Sequence, residues 1–465
     1  MTMNRKKCQK IVTNLLCPIE THRVVDIIQN NKFSIFIDET SNISNQKWMT
    51  FLVRYVNLET LDTCSQLVKL IDIDAKSSSA DKLFDAFIKE MWKLQIPFPN
   101  IIAMSCDNAS VMVGKYSSFK TKLKNFCKNL LTLSCPCHSA ALVAHSACNK
   151  IPEYCEEFVK KVATFINSSP KRSAIFEKFA ISFQETNRKI LKLSDTRWLS
   201  RNSKLLSRLK EIEMPEFDNN ENQISVNKIY VGDECEKYLN NLITEGRADI
   251  VANIRQDCLQ FYVTAAQDIC KRLPIHDAFL SKLKVFECNI ALCHSDRETS
   301  FNDVSYIANT FGGFDIENLK KEWFALQKDF NELEKNLFAT LDFDDLWKKI
   351  LHRRQYPNLK SLLNAVRSLP NSNADSERIF SFLPDLKTKK RNKLAPASIN
   401  ALCVLKSALK ARRKTALNIE VNEKHFSLMS TDKLYATYCN KRKSQLMLHA
   451  ANDDEIAGPS SSNVQ

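Results

Sequence analysis

The sequence predicts an α/β protein in which a mixed sheet carries helices on its surface. Two apolar runs, Phe33–Asp38 and Ile101–Cys106, are hydrophobic at every alternating position, which is typical of buried central strands. The runs Trp48–Val56 and Cys64–Ile73 follow the first of them after short polar breaks, so we expect an antiparallel meander. A short strand at Leu130–Ser134 completes the predicted sheet.

Helical spacing of apolar residues separates the later strands from the meander. It predicts one helix over Ala80–Leu94 and another over Val111–Phe126. Three strands, a helix, a strand, a helix and a strand therefore follow one another, and this order favours a layered α/β architecture over an all-helical one.

The chain divides into five predicted segments. Residues 1–30 form a helical arm, and residues 31–203 form the first part of the sheet domain. Helical periodicity with little strand signal over 204–360 indicates an insertion. Residues 361–415 complete the interrupted domain, and residues 416–465 form a helix and a polar tail that we expect to be disordered.

The composition of the chain indicates which classes of molecule the protein can bind. The net charge of +14 and the pI of about 9.0 favour nucleic acid, although a lysine-rich soluble surface gives the same balance. The six glycines lack phosphate-loop spacing, so no nucleotide cofactor is predicted. No apolar stretch reaches the length of a membrane span, and the 16 cysteines are scattered. We therefore expect no membrane partner, reduced thiols and a nuclear location.

Three acidic residues are the candidate catalytic groups. Asp38 and Asp107 follow apolar strands, and Glu377 lies on a predicted helix far along the chain. Carboxylates that gather on a rigid scaffold are the ligands that two-metal phosphoryl transfer uses. Taken singly, each aspartate is equally a strand-end or capping residue and Glu377 an exposed helical glutamate.

The chain resembles the hAT superfamily of DNA transposases and the host proteins derived from them. The matching segments are FIDETS at 36–41, CDNAS at 106–110, CPCHS at 135–139, DTRW at 195–198, NADSERIFS at 373–381 and KKRNKL at 389–394. The resemblance extends over roughly residues 30–410. Any one of these motifs is weak, whereas all of them in order are specific.

This resemblance implies an RNase-H-like core interrupted by an all-helical insertion, followed by a C-terminal dimerisation region. It implies that Asp38, Asp107 and Glu377 are catalytic and bind two Mg²⁺ or Mn²⁺ ions. It further implies that Cys135 and His138 shape the active site, which we favour over a zinc site in the Cys135–Cys148 cluster.

The resemblance also implies DNA contacts. Trp198 is the residue expected to stack on a displaced base, although a core tryptophan is nearly as good an interpretation. Phosphate contacts are assigned to five basic residues: Arg197, Arg201, Lys389, Lys390 and Arg391. The last three also resemble a nuclear import signal or simply solvated lysines.

Self-association is assigned to a late apolar helix, which packs either on its own sheet or on a second copy. Its predicted contact residues are Ile399, Leu402, Leu405 and Leu409. Many family members carry a BED-type zinc finger ahead of the core, but Cys8, Cys17 and His22 lack finger spacing. The sequence therefore predicts a self-associating DNA-binding protein with a cleavage and strand-transfer site if active, or alternatively a domesticated, non-catalytic dimer.

Overall fold

A five-stranded mixed sheet in the computed structural model confirms the predicted α/β fold. Its strands are β1 (Phe33–Ser41), β2 (Lys47–Val56), β3 (Thr63–Ile73), β4 (Ile101–Cys106) and β5 (Leu131–Ser134). They lie in the order β3-β2-β1-β4-β5. The pairs β1–β2 and β2–β3 are antiparallel, as the meander predicted, and β1 runs parallel to β4.

The structure describes residues 4–41, 46–74, 79–182, 225–229, 231–274, 277–353, 355–387 and 394–435. Its internal contacts form two units, one of Met1–Leu133 with Glu287–Gln465 and one of Ser134–Phe286. The predicted insertion, 204–360, thus shares only part of its length with the second unit. Residues 287–360 belong to the unit that holds β1 to β4, where helices follow one another without strands.

Helices cover both faces of the sheet in the first unit. Phe33, Ile35 and Ile37 of β1 join one buried cluster, and Phe36 joins another on the opposite face. The helices of this unit are Arg5–Ile11, Cys17–Asn30, Ala80–Lys93, Ser110–Val113, Phe119–Lys124, Cys288–Cys293, Arg297–Phe311, Ile316–Lys328, Glu332–Ala339, Phe343–Arg353, Pro357–Arg367, Ala374–Leu386, Pro396–Ala411, Glu423–Leu428 and Thr431–Leu434. A π-helical segment, Val12–Leu16, joins the first two, and 3₁₀ turns lie at Phe98–Asn100 and Ala416–Asn418.

In the second unit, the described elements that follow β5 are all helical. Its α-helices are Pro136–Cys148, Glu153–Asn167, Pro170–Ser182, Asp233–Thr244, Ala248–Arg272 and Ala278–Lys282, with 3₁₀ turns at Val226–Lys228 and Leu283–Phe286. The first of these helices packs against the long helix Ala248–Arg272.

The single helix predicted over Val111–Phe126 is wrong, because the chain forms two short helices there. The first ends at Val113 and is followed by Gly114, and the second begins after Ser118. The Ser118 side chain accepts from the backbone of Thr121, whose own hydroxyl accepts from the backbone of Ser118. This reciprocal capping box begins a new helix within the apolar pattern.

The helix Pro396–Ala411, which we call the edge helix, covers the outer strand of the sheet. Its residues Ser407 and Asn400 accept hydrogen bonds of 2.8 Å each from the backbone N–H groups of Leu67 and Leu70 on β3. An edge strand otherwise leaves such donors without strand partners. The edge helix therefore satisfies this edge of the sheet from within the same chain.

Candidate active site

Asp38 and Asp107 both follow the last residue pair that joins the parallel strands β1 and β4. The β1–β4 pairing ends where Phe36 pairs with Ser105, and Asp38 and Asp107 each follow two residues later, the second of them just after the end of β4. Neighbouring strands are about 4.8 Å apart. The two aspartates thus follow the same end of two neighbouring strands, and their shared catalytic role stays a prediction.

β1 does not end at Asp38, contrary to the sequence interpretation. It continues to Ser41 because β2 pairs with it beyond this point, and Asp38 itself lies opposite Thr50. The next residue, Glu39, forms an ion pair of 2.9 Å with Lys47 on β2. Glu39 therefore has a structural partner of its own.

The carboxylate of Asp38 is buried and held by two N–H donors. Its side chain belongs to a residue only 7% exposed. Oδ1 accepts from the backbone N–H of Glu39, and Oδ2 accepts from Nδ2 of Asn373, each at 2.9 Å. Asn373 is itself fully buried. A neutral amide thus meets a buried carboxylate, which reduces the cost of burying the charge.

The helix Ala374–Leu386, which we call the Glu377 helix, is fixed beside Asp38 at its N-terminal end. Thr50 is hydrogen-bonded at 3.4 Å both to the carbonyl oxygen of Asp38 and to the hydroxyl of Ser376. The N–H of Glu377 bonds to the carbonyl oxygen of Asn373 at 3.3 Å. Glu377 therefore lies one helical turn beyond the residue that holds Asp38.

Sequence reasoning missed Asn373, although it is the first residue of the NADSERIFS motif. Asn373 occupies the N-cap position, but its side chain does not cap the helix, and its Nδ2 donates to Asp38 instead. Pro384 lies inside this helix, which ends two residues later at Leu386.

Asp107 has a local role as well. Its Oδ1 accepts from the backbone N–H of Ala109 at 3.2 Å, so the carboxylate stabilises the turn that leads into the helix Ser110–Val113. Its side chain is half-buried, as is that of Glu377. Both residues thus keep partial access to solvent.

The fit to a metal ion can be judged from these donors. Carboxylate oxygens suit Mg²⁺ and Mn²⁺ in kind. However, across the described ranges no three or more His, Cys, Asp or Glu side chains are grouped as a metal site requires. Asp38, Asp107 and Glu377 therefore form no three-ligand group, and in this arrangement they do not fit a shared ion.

The predicted DNA contacts lie outside the described residues. Trp198, Arg197 and Arg201 fall within 183–224, and Lys389, Lys390 and Arg391 fall within 388–393. Their roles stay predictions.

Cys135 and His138 belong to the second unit. Cys135 is buried immediately before the helix Pro136–Cys148, and His138 is half-buried in its first turn. The three acids belong to the first unit. The active-site-shaping role of this pair therefore stays a prediction.

The predicted dimer contacts divide by burial. Ile399 is only 1% exposed and lies in the chain's own core beside the sheet, so its side chain is already covered. Leu402, Leu405 and Leu409 are half-buried, and Leu402 packs against the same core. Of the two interpretations of this apolar helix, packing on its own sheet is what the structure shows for Ile399.

Two family models match the chain in separate regions. The model described as the ZMYM1/FAM200, RNase-like domain matches residues 1–118, which include β1 to β4 with Asp38 and Asp107. The model described as the hAT family C-terminal dimerisation region matches residues 322–409, which include the Glu377 helix and most of the edge helix.

An RNase-like domain completed by a transposase dimerisation region defines a protein of transposase descent. The chain is derived from a hAT transposase and carries that family's region for self-association. None of the helices within the described ranges has both the length and the apolar character needed to cross a membrane.

Proposed function

We propose that this self-associating, transposase-derived protein binds DNA and acts in the nucleus. The observation that carries the proposal is the excess of 14 positive charges on a chain of this descent. Lysine and arginine in such excess attract the phosphate backbone irrespective of base sequence. The predicted stacking residue Trp198 and the basic residues around it and at 389–391 would supply the contacts.

The test is DNA binding as a function of salt, measured by fluorescence anisotropy with a labelled duplex. The logarithm of the binding constant should fall linearly with the logarithm of salt concentration. Changing Lys389, Lys390 and Arg391 to Gln should reduce that slope by about 0.9 for each phosphate that the protein no longer neutralises, or about 3 in total. A wild-type protein with no measurable affinity at low salt would rule the proposal out.

A matched control removes the same charge elsewhere. Lys82, Lys89 and Lys93 lie exposed on the helix Ala80–Lys93 and can also be changed together to Gln. If DNA binding depends on net charge alone, this control variant will lose as much affinity as the first. In cells, loss of nuclear accumulation only in the 389–391 variant would assign the import signal to that run.

Metal-dependent DNA cleavage is a second candidate function, in line with the family resemblance. Two observations support it: Asp38 and Asp107 both follow the paired residues of β1 and β4, and the hydrogen bond from Asn373 joins the start of the Glu377 helix to Asp38. With Asp38 held by two N–H donors, the three carboxylates would have to move closer together before they could share a cation. The alternative is a non-catalytic dimer, in which the three carboxylates never come close enough together to share a cation.

Nicking of supercoiled DNA in Mg²⁺ or Mn²⁺ separates these alternatives. An active site predicts nicking that Asp107→Asn removes while DNA affinity and melting temperature stay close to those of the wild type. Absence of nicking by a folded, DNA-bound protein in both metals would contradict the cleavage proposal and leave DNA binding intact. Nicking that survives Asp107→Asn would indicate a contaminating nuclease.

A further inference from the structure

A cationic pocket lies on the sheet unit, and Asp38 is not among the residues that line it. It is a cavity of about 320 Å³, a size within the range of ligand pockets. Asp375 is the one acidic residue among the described residues that line it. Five cationic side chains line it as well: Arg54, Arg378, Lys406, Lys410 and Arg413. We name these residues and the space between them the cationic pocket.

The cations come from separate elements. Arg54 lies on β2, Arg378 on the Glu377 helix, and Lys406 and Lys410 one turn apart on the edge helix. Arg413 follows the edge helix in the next turn. Folding therefore gathers like charges from distant parts of the chain, which costs free energy unless counter-charge is supplied.

Most of these cations form no ion pair with the part of the chain that the structure describes. Asp375 is paired with Arg378 at 2.5 Å. Of the other four cations, none forms an ion pair with a residue in the described part of the chain. One anionic group thus faces five cationic ones, which leaves a local excess of four positive charges.

Arg54 shows how neutral groups take the place of counter-charge. Its Nε donates to the carbonyl oxygen of Arg367 at 3.4 Å, and its Nη1 donates to Oδ1 of Asn371 at 3.5 Å. Burial lowers the pKa of Arg54 from its ordinary value, and the nearby carboxylates of Asp375 and Asp344 oppose this shift. An anion in the pocket would favour the charged guanidinium further.

Lys406 is held in place by an aromatic ring. Its Nζ lies 3.3 Å from the ring centroid of Phe382, which also lines the pocket. A cation–π contact of this kind limits the conformations of the lysine and leaves its N–H donors available. The pocket therefore combines positioned cations with an apolar wall.

We propose that the cationic pocket binds phosphate groups. Guanidinium groups match the oxygens of phosphate in a bidentate way, and the lysines add point charges around it. The same chemistry could come from a nucleic-acid backbone or from a free polyphosphate. The proposal goes beyond DNA binding by the 197–201 and 389–391 residues, because it assigns a separate site.

The test uses two probes, inorganic tripolyphosphate by calorimetry and a labelled DNA duplex by anisotropy. The variant changes Lys406, Lys410 and Arg413 together to Gln, all of which are exposed. We expect its affinity for tripolyphosphate to fall about tenfold or more, since removing a charge-assisted contact typically has this effect. The control is the Lys82, Lys89 and Lys93 triple Gln variant, which should bind as the wild type does.

The two probes distinguish the sources of phosphate. Loss of both affinities in the pocket variant, with tripolyphosphate displacing DNA, assigns the pocket to a nucleic-acid backbone. Loss of tripolyphosphate binding alone assigns it to a free polyphosphate. If the pocket variant and the control variant bind both probes equally well, or if the wild type binds neither, the proposal is overturned.

A second variant covers the case in which the triple variant fails to fold. The double variant Lys410→Gln with Arg413→Gln leaves the Lys406–Phe382 contact in place, so it replaces the triple variant if melting shows that the latter is unfolded. The tripolyphosphate result stands even if the wild type fails to bind DNA, so failure of the pocket and failure of the proposed DNA binding are separable.

Discussion

The two sides of the Glu377 helix face different electrostatic environments. On one side, Asn373 and Ser376 at its start contact the Asp38 region, where a buried carboxylate is met by neutral donors. On the other side, Arg378 and Phe382 line the cationic pocket, where cations outnumber the single acidic partner among the described residues. One short helix therefore separates a satisfied buried charge from an unsatisfied excess of charge at the surface.

The difference follows from desolvation. Because Asp38 is removed from water, its carboxylate needs fixed donors to remain in the fold at an acceptable cost. Lys406, Lys410 and Arg413 keep their solvent contact, so the fold tolerates their mutual repulsion. The first arrangement contributes to stability, whereas the second leaves binding capacity for a ligand of opposite charge.

The largest expected effect comes from removing the amide that holds Asp38. Asn373→Ala takes away the 2.9 Å hydrogen bond to Oδ2 and leaves a buried carboxylate oxygen without this donor. We expect the free energy of unfolding to fall by about 2–3 kcal/mol, the typical cost of a buried group that loses its partner. Urea unfolding followed by circular dichroism measures it.

Asn309→Ala is the control, because Asn309 lies exposed on the helix Arg297–Phe311. It should change the free energy of unfolding by no more than about 0.5 kcal/mol. Equal effects of the two substitutions would contradict the role given to Asn373. The stability of the Asp38 region would then not depend on the hydrogen bond from Asn373.

A smaller loss of stability is expected where a hydrogen bond joins two uncharged groups. Ser407→Ala removes the acceptor of the 2.8 Å hydrogen bond from the buried N–H of Leu67. We expect a loss of about 1–2 kcal/mol in the free energy of unfolding, less than for Asn373 because the stranded group is uncharged. The exposed Ser427→Ala is the control, and a loss larger than that of Asn373→Ala would reverse the ranking.

The strands could be predicted from the sequence because their signal is local. Phe33, Ile35, Phe36 and Ile37 are buried on both faces of β1, as their uniform apolar character indicated. The positions of Asp38 and Asp107 beside buried apolar runs could be predicted for the same reason. The RNase-like nature of this region is borne out by the family match over residues 1–118.

The remaining features depend on contacts between distant residues. Asn373 bonds to Asp38 across 335 positions, and no periodicity in either segment indicates this pairing. The cationic pocket likewise combines Arg54 with Lys410, and nothing in either segment indicates that these two residues meet. Long-range pairing of this kind is set by tertiary packing, and local propensity carries no information about it.

The smallest expected effect concerns the exposed side of the comparison. Lys410→Gln removes one of the pocket's like charges at an exposed position, so repulsion decreases and no buried group loses a partner. We expect the free energy of unfolding to rise by a few tenths of a kcal/mol at most, roughly 0.2–0.5. Because salt screens repulsion, NaCl should stabilise the wild type more than this variant.

Lys89→Gln serves as the control for this prediction, since Lys89 is exposed outside the pocket and should show no such difference in salt response. A loss of stability beyond about 1 kcal/mol in Lys410→Gln would mean that the lysine supports the fold. A neutral or slightly stabilising result would show that the fold does not need this charge. Its position among four other cations would then be explained by what the pocket binds.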